Sequence, residues 1–152
     1  MRTALFPGTF DPITSGHTDV INRALPLFDK IIIGIGINSG KQPMFSLDQR
    51  IGWIKEIYKD DTRVDVQTYQ GLTVTFAESV QAQFILRGIR NVVDYEYEKS
   101  IADMNKSLNA SVETVFLACS PIYNSYSSTI VRDVIKNKGN YSIFLPKEIV
   151  IS

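Results

Sequence analysis

The chain has 152 residues, 44% of them hydrophobic, which suits one domain spanning residues 1–152 with enough apolar material for a core. Sixteen Lys and Arg balance sixteen Asp and Glu, so the molecule lacks the overall positive field that non-specific nucleic-acid binders use, and any basic site must be local. No window approaches the roughly 18 apolar residues of a membrane span, no signal core precedes the first turn residues, and the single Cys119 cannot close an internal disulfide, so a reducing, cytoplasmic setting is expected.

In chain order, Thr3–Phe6 reads as a first strand and leads into the turn-rich stretch LFPGTFDPITSGHTD, which holds the only histidine. A helix is predicted over His17–Phe28, with Val20, Ile21, Ala24 and Leu27 on one face and a kink or early end at Pro26. A strand over Lys30–Ile37 follows, then the loop NSGKQP, then a helix over Ser46–Tyr58 capped by Ser46. Strand Arg63–Tyr69, helix Thr73–Ala82, strand Gln83–Ile89, helix Val93–Leu108, strand Thr114–Cys119 and a helix starting at Ser128 complete the alternation. The second, fourth and fifth strands are apolar on both faces. That pattern predicts an α/β fold, a Rossmann-like doubly wound open sheet of about five parallel strands with helices on both faces.

Ligands of such sheets bind beyond the carboxyl ends of the strands, near the point where strand order reverses. The post-strand segments gather His17, Lys41, Arg87 and Arg90 with the hydroxyls of Thr9, Ser127, Ser128 and Thr129, beside helix N-termini that attract anions. Each feature alone has a plain alternative. Lys41 could be a solvated surface lysine, YNSYSST a turn that caps the next helix, and DYEYEKS the polar shoulder of an exposed helix.

Two familiar phosphate motifs are excluded. GINSGKQ lacks the P-loop glycine spacing and the hydroxyl residue after Lys41, and GIGINS lies largely inside a strand with Ser39 where a dinucleotide fingerprint needs Gly or Ala. No Cys–His cluster suggests a metal cage, and no elbow motif supports a serine nucleophile, so no protein-bound metal and no covalent intermediate are expected.

The blocks GTFDPITSGH, NSGKQPMFSLDQR, LRGIRNVVDYEYE, MNKSLNASVETVFL and YNSYSSTIVRDV resemble the bacterial phosphopantetheine adenylyltransferases over Phe6 to about Pro146. The first block resembles the HxGH signature of the wider nucleotidyltransferase superfamily in its T/HxGH form, with Thr14 in the place of the first histidine, and SSTIVR resembles the superfamily's serine-rich signature. RGIRNVVDYEYE followed by MN gives the narrower resemblance. It argues against the nearest alternative, a nicotinate or nicotinamide mononucleotide adenylyltransferase. An inactive nucleotide-sensing domain is the alternative of another class.

The resemblance implies transfer of adenylyl from ATP to 4'-phosphopantetheine, giving dephospho-coenzyme A and pyrophosphate, with Mg2+ bound mainly through the ATP phosphates. By motif position, His17, Lys41 and Arg90 are the catalytic residues, and Thr9, Lys41, Leu72, Thr73, Arg87, Met104 and Asn105 bind phosphopantetheine. Thr9, Phe10, His17, Gly88, Ile89, Arg90 and Glu98 face ATP, with Tyr123, Asn124, Ser125, Tyr126, Ser127, Ser128 and Thr129 on its far side. The resemblance further implies a homohexamer, a site that coenzyme A can occupy, and no nucleic-acid or membrane partner. By the same resemblance, the further C-terminal helix of many relatives is expected to be missing after FLPKEIVIS.

Overall fold

The computed structural model describes residues 1–152. Strands β1 (Thr3–Gly8), β2 (Lys30–Gly36), β3 (Val64–Tyr69), β4 (Phe84–Ile89) and β5 (Glu113–Ala118) alternate with helices α1 (Ser15–Ala24), α2 (Leu47–Ile57), α3 (Thr73–Ser79), α4 (Val92–Leu108) and α5 (Ser128–Lys136). The strands form one all-parallel sheet in the order β3-β2-β1-β4-β5, as the alternating pattern predicts.

The run KIIIGIG shows why this sheet forms. Successive side chains point to opposite faces, so Ile31, Ile33 and Ile35 enter one core while Ile32 enters the other. The larger core collects α1, α2 and α5 through Val20, Ile21, Ala24, Ile54 and Val131. The smaller gathers Val74 and Ala77 of α3 beneath Leu5 and Ile85. Fully burying each of these aliphatic side chains contributes about 1.5–3 kcal/mol, so a strand apolar on both faces is stable only when both are covered.

Three local outcomes follow from particular residues. Helix α1 ends at Ala24, ahead of Pro26, because proline cannot extend the hydrogen-bond ladder. Ser46 caps α2 in a reciprocal box with Gln49, at 3.2 Å and 3.0 Å. Strand β5, expected to be covered on both faces, is only half-buried because it is a sheet edge.

Sheet register creates the crevice. β1 pairs with β2 over six positions from Thr3 to Gly8, but with β4 only at Ala4 and Leu5. Beyond Leu5 the two central strands diverge, at the point where strand order reverses, and the sheet opens there toward its carboxyl edge.

Candidate active site

A cleft of about 1030 Å³ fills this opening. Of the residues nominated from sequence, Thr9, Phe10, His17, Lys41, Thr73, Arg87, Gly88, Arg90, Glu98, Asn105, Tyr123, Tyr126, Ser127, Ser128 and Thr129 line it. Leu72, Ile89, Met104, Asn124 and Ser125 do not form its walls; Leu72 and Met104 are about half exposed. Five loops distant in sequence therefore meet around one cavity, and the imidazole and the lysine share it.

His17 is held by the local helix start. Thr14 caps α1, its side chain accepting the His17 N–H at 3.4 Å, while the Thr14 N–H donates back to His17 Nδ1 at 2.9 Å. An Nδ1 that accepts leaves the proton on Nε2, which makes the far ring nitrogen a donor. Burial, then the positive charges of Arg87 and Arg90, push the imidazole pKa down to about 4, so at neutral pH it donates as an uncharged group.

Two neighbours fix the ring. The Thr14 hydroxyl donates to the Tyr126 carbonyl at 2.8 Å, tying the start of α1 to the loop before α5. Phe10 sits edge-on to the imidazole at 5.0 Å between centroids. Phe10 has φ 50°, a left-handed conformation that a bulky residue adopts only where its surroundings impose it. A Cβ on Gly8 would stand 3.0 Å from the Phe10 ring, so a side chain there would press on the ring that packs against His17.

The cations are less free than the sequence suggests. Arg87 makes a forked pair with Glu98 at 2.6 Å and 2.8 Å, and its third nitrogen donates to the Pro7 carbonyl at 2.6 Å, bridging the gap between β4 and β1. Arg90 Nε donates to Asp94 Oδ2 at 2.9 Å. Lys41, on the irregular segment after β2, donates its backbone N–H to the Asn38 carbonyl at 3.2 Å, and its ammonium has no partner. With Arg132, four cations face two carboxylates, Asp94 and Glu98, across the cleft, so its balance is positive.

The serine-rich block serves structure more than its hydroxyl count implies. Ser127 accepts the Ile130 N–H as the α5 cap, Ser128 donates to the Pro12 carbonyl at 2.7 Å, and Thr129 accepts from Arg132. What the block offers an anion is the free N–H groups at the start of α5.

A family model described as cytidylyltransferase-like matches residues 5–134. A phosphopantetheine adenylyltransferase from Flavobacterium psychrophilum is 50% identical over 149 residues, 98% of each chain. One of the same name from Bacteroides thetaiotaomicron is 49% identical over the full length of both chains. The chain belongs to the phosphopantetheine adenylyltransferase family. Among solved structures, the lipopolysaccharide core biosynthesis protein of Thermoplasma volcanium matches with TM-score 0.55 at 20% identity, covering 79% of this chain and 97% of that one, which supports the fold alone.

Within this phosphopantetheine adenylyltransferase family chain, three residues that shape the cleft escaped sequence reading. Arg132 lines it, Asp94 holds Arg90, and the buried Asp11 takes a hydrogen bond on its carbonyl from Arg132. Their only sequence signal is membership of the blocks TFDP, VVDYEYE and SSTIVR, where nothing marks which acid meets which base. No helix is long and apolar enough to cross a membrane.

Proposed function

We propose that this cleft brings ATP and 4'-phosphopantetheine together for direct adenylyl transfer. The chain is a nucleotidyltransferase: a phosphate oxygen of phosphopantetheine attacks the α-phosphorus of ATP, a new P–O bond forms as the bond to the β-phosphate breaks, and pyrophosphate leaves. The product is dephospho-coenzyme A. The observation that carries the reading is the convergence of the neutral His17 donor and the unpaired Lys41 on one positive cleft at the sheet's opening.

No protein nucleophile is needed, because the acceptor supplies its own oxygen and the protein's task is to hold two polyanions in line. On this reading Lys41 and Thr9 take the phosphate of phosphopantetheine, and Thr73, Arg87 and Asn105 line its site with Leu72 and Met104 at the border. Phe10, Gly88, Arg90 and Glu98 face ATP, and Tyr123, Tyr126, Ser127, Ser128 and Thr129 close its far side. His17 Nε2 donates to an α-phosphoryl oxygen as charge builds there.

Magnesium, on the same reading, arrives on the ATP phosphates, since that ion retains several waters and seldom needs a protein cage. The cleft carboxylates are already engaged by Arg87 and Arg90, and no group of three or more His, Cys, Asp or Glu residues suited to a metal forms in the chain. The reading also places the protein in the cytoplasm as a homohexamer, with coenzyme A able to occupy the cleft. The exposed apolar side chains of Val92, Val93 and Leu108 on α4, outside the cleft, support assembly.

The test is pyrophosphate release from ATP and magnesium with either phosphopantetheine or nicotinate mononucleotide as acceptor. Release with phosphopantetheine alone is expected. Release only with the mononucleotide would overturn the substrate assignment, and release with neither would leave a binding domain.

Lys41→Ala is expected to raise KM for phosphopantetheine and slow turnover, because a charge that positions the acceptor phosphate is lost. Steady-state kinetics with each substrate varied in turn checks this. An effect confined to KM for ATP contradicts the assignment.

A further inference from the structure

We infer that Asp11 is a positioning residue that sets the location of Lys41, acting through the backbone of Met44 and Phe45. The inference rests on the role given to Lys41 above and adds what holds that lysine in place.

Asp11 is only 3% exposed, and a buried carboxylate must be compensated. Its two oxygens accept separate backbone donors, Oδ2 from the Met44 N–H at 2.8 Å and Oδ1 from the Phe45 N–H at 2.9 Å. Its charge is balanced by Arg132, whose Nη1 lies 3.7 Å from Oδ2 and donates to the Asp11 carbonyl at 2.8 Å. A second strap runs parallel: Arg50, also buried, donates to the Thr9 carbonyl at 2.9 Å and to the Phe45 carbonyl at 3.2 Å.

Residues 37–46 form no helix or strand, so no ladder fixes Lys41. At its start the segment is pinned to the sheet by the Ile37 N–H bond to the Tyr69 carbonyl. At its far end the Asp11 clamp closes on Met44 and Phe45, three and four residues beyond Lys41. The clamp belongs to the same loop as Thr9 and Phe10, so the lysine is indexed to the loop that carries the other cleft residues. Charge-assisted bonds of this kind are stronger than neutral ones and directional, which suits a rigid reference point.

A double-mutant cycle tests this. Asp11→Asn keeps the shape but replaces one acceptor oxygen by a donor, which cannot accept from either amide. Displacing a positioning group by about an ångström can cost up to roughly 10²-fold, so Asp11→Asn is expected to raise KM for phosphopantetheine by about tenfold or more, with KM for ATP moving less. In a Lys41→Ala background the same change is expected to raise KM for phosphopantetheine less than about twofold, because the group it positions is gone.

Equal effects of Asp11→Asn in both backgrounds would overturn the inference while leaving the role of Lys41 intact. A Lys41→Ala enzyme with unchanged kinetics would instead remove the reading on which the inference rests. Should Asp11→Asn fail to fold, amide hydrogen exchange of the native protein decides. The Met44 and Phe45 amides are expected to exchange far more slowly than that of Gln42, whose N–H has no partner in the loop, and equal rates would show that no clamp exists.

Discussion

His17→Ala is expected to lower kcat by roughly 10²- to 10³-fold, the usual loss when one preorganised donor to a developing oxyanion is removed. KM for ATP should change less, because the interaction strengthens as charge accumulates in the transition state. The structure supplies the reason for placing the effect on Nε2, since Nδ1 is already committed to the Thr14 N–H. Steady-state turnover of the purified variant gives the answer, and an unaltered kcat would take His17 out of the mechanism.

The pH dependence separates a neutral donor from a charged one. The folded-state pKa of His17 lies near 4, below the ordinary 6.5, so the free enzyme keeps the ring neutral through the neutral range. The kcat/KM profile should therefore show no inflection near pH 6.5 that His17→Ala abolishes. For stability the sign follows from proton binding: the unfolded chain takes up the proton first. The group's contribution is whole above about pH 6.5 and declines as pH falls toward 4.

Much of this arrangement could be read along the chain, and the part that could not has a physical reason. Period-two apolar runs such as KIIIGIG and helix starts such as Ser46 are local properties, so the element order followed from them. That β5 lies at an edge did not follow, because its apolar run resembles that of a central strand. The site divided in the same way. Segments at and beyond the strand ends nominated His17, Lys41, Arg87 and Arg90, but charge alone could not tell that Glu98, eleven residues beyond Arg87, would neutralise it. Nor could it tell that Asp11 would reach thirty-three residues to Met44. Such pairings depend on how helices and loops pack in three dimensions, which periodicity does not encode.

The Arg87–Glu98 pair yields the other large effect, since it serves both stability and the cleft. Glu98 is nearly buried and Arg87 partly so, with side-chain exposures of 11% and 30%. Removing one partner from a buried pair leaves an uncompensated charge, which typically costs 3–5 kcal/mol. With Arg87 still partly wet, Arg87→Met is expected to cost about 2–3 kcal/mol, read from urea unfolding. The variant also loses the bond to the Pro7 carbonyl, the one side-chain link from β4 to β1 beyond Leu5. Adding Glu98→Met should restore part of the lost stability, because the stranded carboxylate disappears with its partner. KM for phosphopantetheine should stay raised in both variants, because the two guanidinium hydrogens not used within the protein are absent from each. If stability and KM recovered together, Arg87 would act only by holding the sheet edges in register; if Arg87→Met left unfolding unchanged, the ion pair would have no structural weight.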